Sequence, residues 1–289
     1  MRRKKNKKLI INADEFGSAP CVTDAIWECL NYGVLTSTTI VANGKDFKRA
    51  ANLARGGNFC GLHLSLTDFA PLNPRNKISS LLRDDKEQFF QPYTFVQKYF
   101  NNKIKIDEVR MELEQQVERC LDEGIRLTHF DGHCNIFVLP KIFDAVAGLM
   151  KKYNVRKMRF PREPVFNIDW RQPRQYMLKT FIAAFSELGK RRLSRDIIFT
   201  DHFIGLAQST HIEESVLLRL LKRLKDGSTE IPIHPRNYNE KQINDAFGST
   251  HYASTYFSHG EEEKAALLSA RVKQFIDSHG IELVSYGSL

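Results

Sequence analysis

The sequence predicts an α/β protein with a single main domain, an irregular (β/α)8-type, TIM-like barrel. Three observations predict it. Eight short apolar runs rich in β-branched residues recur along the chain, amphipathic helical stretches separate most of them, and acidic or histidine residues stand where several of the runs end. Strands alternating with helices build parallel sheets, and eight of them favour a barrel over an open doubly wound sheet. Polar groups placed repeatedly at strand ends gather at one rim, where such folds build active sites. At 289 residues, 42% apolar and 27% charged, the chain can bury a full core in one domain.

The elements follow in order. KLIINA (8–13) reads as a buried first strand that runs into Asp14-Glu15-Phe16-Gly17, and VTDAIWECLNYG as a helix closed by Gly33. TSTTIVA (36–42) is a second strand and FCGLHLSL (59–66) a third. Alternation in the third puts Leu62, Leu64 and Leu66 on one face and leaves His63 with Gly61 and Ser65 on the other. DEVRMELEQQVERCLDEG is a helix closed by Gly124. RLTHF (126–130) is a fourth strand leading into F-D-G-H, where His129, Asp131 and His133 share a face at a spacing of two. After the helix LPKIFDAVAGLMKKY come strands KMRF (157–160) and DIIFT (196–200), followed by Arg162-Glu163 and Asp201-His202. The helix HIEESVLLRLLKRL precedes TEIPIH (229–234), whose terminal His234 is pinned by Pro235. EEEKAALLSARVKQFIDSHG is read as one helix closed by Gly280, and IELVSY (281–286) as the eighth strand. Two segments interrupt the alternation, 68–104 and 235–260. Long connections in a compact domain commonly cover a site, so both are candidate substrate lids, with peripheral excursions as the alternative.

The formal charge of +9 suggests nucleic acid, but Arg2, Arg3, Lys4, Lys5, Lys7 and Lys8 supply six of the positive charges. They form a basic arm over residues 1–8 without interleaved aromatic residues, and the barrel domain proper runs from 9 to 289. Nucleic acid is therefore not an expected partner. The arm is solvated or weakly drawn to anionic membrane. No run approaches a membrane span, and the basic start leads into only LII, too short for a signal-peptide core. A cytoplasmic protein is expected, with peripheral contact at the inner membrane face as an option. The five cysteines include no C-x-x-C pair, which suggests neither a disulfide framework nor a thiolate zinc site. Cys134 adjoins His133, and neighbours on an extended segment point to opposite faces, so it is read as a non-ligand.

Chemistry concentrates at four clusters: Asp14-Glu15, His63, Asp131 with His133, and His234. Two imidazoles and a carboxylate can hold a divalent ion, leaving a second carboxylate and a third imidazole for proton transfer. Adjacent carboxylates near a buried rim are costly without a cation. Read singly, Asp14-Glu15 is also a helix N-cap acid pair, His63 a satisfied core histidine and His234 a capping group. Imidazole's ordinary pKa near 6.5 suits His234 to a general acid. Arg162, Glu163 and Asp201 are read equally as loop-bracing ion pairs and as substrate contacts.

The motifs NADEFG, GVLTSTTIVANG, GLHLSLT, T-H-x-D-x-H, E-I-x-x-H-P and G-I-E-L-V-S-Y, in this order over essentially the whole chain, resemble the YdjC/ChbG carbohydrate deacetylases. F-P-R-E-P, D-G-H-x-N, T-D-H-F-I-G-L and D-G-S-T-E-I-P-I-H-P resemble the hopanoid biosynthesis-associated HpnK branch. The resemblance implies an irregular (β/α) barrel, one divalent metal and hydrolysis of an N-acetyl group from an amino sugar. Carried over, it makes His63 and His133 the metal histidines and Asp14 with Glu15 the acidic pair; in the reading adopted, Glu15 joins the histidines as a metal ligand, Asp14 is the catalytic base and His234 the acid. Asp131, Asn135, Arg162, Glu163 and Asp201 become substrate-binding or bracing residues. Where the family pattern has two aspartates, Glu15 is longer by one methylene, and Asn135 and Phe137 stand where many relatives carry histidines. The implied substrate is the N-acetylglucosamine head group of a glycosylated hopanoid. Its rivals are soluble chito-oligosaccharides and a non-catalytic metal- or sugar-binding role. Magnesium and zinc lead the candidates for the ion, and such a donor set also accepts manganese or cobalt depending on geometry and supply.

Overall fold

The computed structural model describes residues 7–163, 173–191, 193, 196–247 and 259–289. Its strands and α-helices run β1 (Lys7–Phe16), α1 (Pro20–Tyr32), β2 (Ser37–Ile40), α2 (Phe47–Ala54), β3 (Cys60–Leu64), α3 (Arg75–Ile78), α4 (Pro92–Phe100), α5 (Ile106–Asp122), β4 (Phe130–Gly132), α6 (Pro140–Lys152), α7 (Pro173–Lys190), β5 (His202–Phe203), α8 (Glu214–Leu221), β6 (Gly227–Ile233), α9 (Glu240–Phe247), α10 (Gly260–Leu268), α11 (Ala270–Ser278) and β7 (Glu282–Leu283).

The strands form one parallel sheet in the order β4-β3-β2-β1-β6-β5, with β7 paired to the start of β1. Single parallel bridges, Phe130 to Met158 and Lys157 to Ile198, carry the pairing onward from β4 toward the segment that leads into β5. The sheet therefore curls into a half-barrel, and the expected irregular barrel is met in that form. Because every strand is parallel, all C-terminal ends lie on one rim. β1 holds the centre. Its Leu9, Ile11 and Ala13 pack into the main core, while Ile10 joins Val284 and Tyr286 in a smaller cluster. Full burial of such aliphatic side chains stabilises by about 1.5–3 kcal/mol each.

Helix boundaries follow local chemistry. Pro20 and Pro140 open α1 and α6 at positions where a missing N–H costs nothing, and Gly124 turns the chain after α5 at φ 75°. The stretch expected as one helix over 261–280 is two. Ser269 is extended (φ −64°, ψ 124°), and its Oγ accepts from the N–H groups of Arg271 and Val272, starting α11 afresh.

Other expectations shift in detail. Lys7, expected in the arm, pairs with Gly227 inside β1; Lys8, where the arm and the expected first strand overlap, pairs with Ser228 as the strand requires, and residues 1–6 lie outside the described residues. The run 157–160 and residues 196–200 make only single bridges. The eighth strand is two residues long before the chain turns and buries Tyr286. The 68–104 segment folds α3, a 3-10 turn and α4, whereas residues 248–258 of the second candidate lid lie outside the described residues. Among the described residues no helix is long and apolar enough to cross a membrane.

Candidate active site

Adjacent strand residues normally point to opposite faces, so a regular β1 could not bring both Asp14 and Glu15 to the site. The register between β1 and β2 slips between Ala13 and Phe16, and Glu15 takes the left-handed conformation at φ 72°. This irregularity turns both carboxylates to the rim, as bulges beside active sites do. His63 extends from β3 directly opposite Asp131 of β4, and His133 follows where β4 ends. His234 follows the last residue of β6.

Beneath these groups lies a buried guanidinium. Arg159 donates through both Nη atoms to the two oxygens of Asp14, at 2.6 Å each, and through Nε to Glu230 at 2.7 Å. Its Nη1 is also 3.0 Å from Asp131. Glu230 in turn accepts from the Tyr286 hydroxyl, and the Tyr286 ring stacks on His129 at 3.7 Å. Burial works against ionising Asp14, yet Arg159 outweighs it and holds the carboxyl well below the usual range. Glu230 behaves differently: burial pushes it up to about 7 despite Arg159 and Tyr286.

The rim itself pairs each imidazole with a carboxylate. Asp131 lies 2.8 Å from His63 Nδ1 and accepts from Thr39 Oγ1 at 3.0 Å. His133 Nε2 is 2.9 Å from Asp68, and its Nδ1 is 3.4 Å from Glu15 Oε1. Burial alone would depress the His133 pKa, but Cys134, Asp68 and Glu15 hold it well above the ordinary value. Burial would likewise raise Glu15, and His133, with smaller help from His234 and Arg236, keeps it below the ordinary range. The donor atoms of Glu15, His63 and His133 all lie within 4.8 Å of one another. Glu15 Oε1 is buried with no aligned hydrogen-bond donor. An orphaned carboxylate oxygen beside two imidazoles is the arrangement a cation relieves, and the donor set fits a divalent ion. His234 completes the wall, with Nε2 3.7 Å from Asp14 Oδ2 and its backbone N–H bonded to Glu263 at 2.6 Å. Asp14, His63, His133, Asn135, Arg159 and His234 all line one cavity at this rim.

A profile described as YdjC-like protein matches residues 8–278. The chain belongs to the YdjC-like family. Its relatives include proteins named carbohydrate deacetylase. That of Thermoanaerobacter pseudethanolicus is 27% identical over 98% of this chain and 99% of its own length, and that of Enterococcus faecalis 30% identical over 98% of each. The one from Homo sapiens is 30% identical over 79% of this chain and 74% of its own. A crystal structure from Enterococcus faecalis, whose name refers to cellobiose-phosphate cleavage, superposes with a TM-score of 0.76 at 27% identity, covering 98% of both chains.

In this YdjC-like chain the remaining expected site residues divide. Asn135 lines the cavity in a left-handed conformation, with its Oδ1 buried and lacking a hydrogen-bond partner. Asp131 is fully buried and engaged by His63, Thr39 and Arg159, and one of its oxygens also lies within 4.8 Å of donor atoms of Asp14 and His63. Glu163 accepts from the N–H of Ala207, next to the cavity-lining Leu206. Arg162 is exposed and paired with Glu187 at 2.8 Å. Asp201 accepts from Ser228 at the start of β6, the sheet edge opposite the cluster, where it braces β6. Cys134 departs from the alternation expected of it: at φ 52° the chain has left the extended form, and the thiol comes within reach of His133 and Asp68. Sequence reasoning missed Arg159, Glu230, Tyr286, Glu263 and Asp68. Only Glu230 carried a clear signal, since T-E-I-P-I-H sets it on the same face as Pro232 and His234.

Proposed function

We propose that this YdjC-like protein is a metal-dependent carbohydrate deacetylase that hydrolyses the N-acetyl group of an amino sugar, the N-acetylglucosamine head group of a glycosylated hopanoid. The observation carrying the reading is the trio Glu15, His63 and His133 beside Asp14 and His234 at one rim, with a buried Glu15 oxygen that no donor satisfies. Support for a deacetylase comes from relatives of that name along the full chain. Support for the lipid-linked sugar comes from the HpnK-like motifs F-P-R-E-P and T-D-H-F-I-G-L.

Glu15, His63 and His133 hold the ion, magnesium or zinc. When bound, the ion supplies Lewis-acid chemistry, making a water more acidic and polarising the acetyl carbonyl. Asp14 takes the proton of the attacking water. Arg159 keeps that carboxylate ionised and aimed; Oδ1 also accepts from Asn12 Nδ2 at 3.0 Å, and Oδ2 retains a lone pair beyond the one Arg159 uses. His234 delivers a proton to the departing nitrogen, which an amide requires because a free amide anion leaves poorly. Asn135 contacts the sugar from the cavity wall. The enzyme works in the cytoplasm, its basic N-terminus weakly drawn to the anionic membrane where a lipid substrate resides.

Acetate release by metal-reconstituted protein, with glycolipid and chito-oligosaccharide substrates side by side, tests the reading. Release from the glycolipid is expected. Release from short chitin fragments alone assigns a soluble substrate, and metal binding without release from any substrate assigns a non-catalytic role.

A further inference from the structure

Two trios of candidate ligands share His133. Glu15 and His63 form one with it, Asp68 and Cys134 the other, and in each the donor atoms lie within 4.8 Å of one another. A neutral imidazole carries a lone pair on one nitrogen and a proton on the other, so His133 can ligate an ion for only one of them. The geometry around Asp68 separates the two. Asp68 Oδ2 lies at hydrogen-bond distance, 2.9 Å, from His133 Nε2, while Glu15 Oε1 is farther from Nδ1 and without an aligned donor.

Asp68 is held there from all sides. It is buried and left-handed at φ 66°, its N–H donates to Phe90 O at 3.2 Å, and its carbonyl accepts from Gln88 Nε2 at 2.6 Å. A non-glycine residue persists in that conformation where its surroundings over-determine it. The flanks are fastened to α5: Gln116 bonds both the N–H and the carbonyl of Ser65, and Glu112 accepts from the N–H groups of Leu72 and Asn73. The Phe69 ring stands edge-on to His133 at 5.2 Å.

We propose that Asp68 is a positioning residue that accepts the Nε2 proton of His133 and thereby presents Nδ1 to the ion shared with Glu15 and His63. His63 is arranged the other way round. Asp131 engages its Nδ1 at 2.8 Å and leaves Nε2 as the ligand nitrogen. The site then takes one δ and one ε nitrogen, each histidine oriented by its own aspartate, as outer partners of metal-binding histidines do. The inference rests on the metal site proposed above.

Zinc affinity of the full-length protein, measured by competition with a chromophoric chelator, tests it together with the 15N shifts of His133 in the zinc-loaded form. Asp68→Ala is expected to bind zinc roughly 10- to 100-fold more weakly than the parent. Asp68→Asn, which keeps an acceptor oxygen, should recover most of that loss. In the parent, His133 should show a protonated Nε2 and a zinc-bound Nδ1, a readout that does not depend on either variant folding. Zinc on Nε2, a thiolate charge-transfer band in the cobalt form, or parental affinity in Asp68→Ala overturns the inference while leaving a metal site. A parent that takes up no zinc overturns the metal reading itself, and this inference with it.

Discussion

Arg159 faces three carboxylates at once, and its partners decide what each can do. Asp14, gripped by both Nη atoms, stays ionised and cannot rotate, and Asp131 is left to orient His63. Removing a ligand and removing the base should therefore separate experimentally. His63→Ala and His133→Ala are expected to lose stoichiometric metal while keeping the parent's circular dichroism. Asp14→Asn should keep the metal and turn over slowly, since the amide accepts no proton and offers Arg159 one acceptor oxygen in place of two. Metal contents by elemental analysis check this; loss in Asp14→Asn with retention in Glu15→Gln exchanges the two roles. His234 calls for a different measurement. If it protonates the leaving nitrogen, His234→Ala should flatten the alkaline limb of the kcat profile and lower its maximum by roughly 10²- to 10⁴-fold. An activated aryl acetate, whose leaving group needs no proton, should be hydrolysed nearly as well as by the parent. Equal slowing of both substrates at unchanged metal content counts against the acid role.

At the scale of elements, short interruptions place the chemistry. The bulge closing β1 aims two adjacent carboxylates the same way, and the left-handed pair Cys134-Asn135 turns the chain back over the cavity. The break between α10 and α11 is of the same kind, and its stability is testable. Ser269 Oγ satisfies two N–H groups of α11 and bonds Glu214 of α8 at 2.6 Å, so Ser269→Ala should destabilise the fold by about 0.5–2 kcal/mol. Urea unfolding measures it, and an unchanged midpoint would mean that water replaces the hydroxyl at no cost. These interruptions also mark where the sequence stops being legible. His63 and the pair Asp131 and His133 could be read from period-two alternation because β3 and β4 are extended. Asp68 could not, since its place depends on a turn fixed by residues twenty positions away, and the Ser269 break hides inside an uninterrupted helical pattern. Arg159 looks like a solvated charge in K-M-R-F until its carboxylate partners are known.

For the molecule as a whole, the buried charges give stability two opposed dependences on pH. The Asp14 and Glu15 carboxyls are lowered in the folded state, so their contribution is present above ordinary carboxylate pKa values and is lost as pH falls. Glu230 is raised to about 7, so its contribution is present in acid and is lost as pH rises through that value. Glu230→Gln, neutral throughout, should gain on the parent as pH goes from about 4.5 to 7 by an amount on the order of 3 kcal/mol. Denaturation of the metal-free protein across that range tests it, and a difference independent of pH would mean that Glu230 is ionised throughout. The sheet order carries a separate consequence. β1 is made first yet sits between β2 and β6, and Lys7 finds its partner only at Gly227. Until β6 leaves the ribosome, the apolar edge formed by Leu9, Ile10 and Ile11 stays open to other chains. A topology with such distant pairings folds slowly and passes through sticky intermediates, so recovery of active protein should depend on chaperone supply and growth temperature more than the stability of the finished fold would suggest.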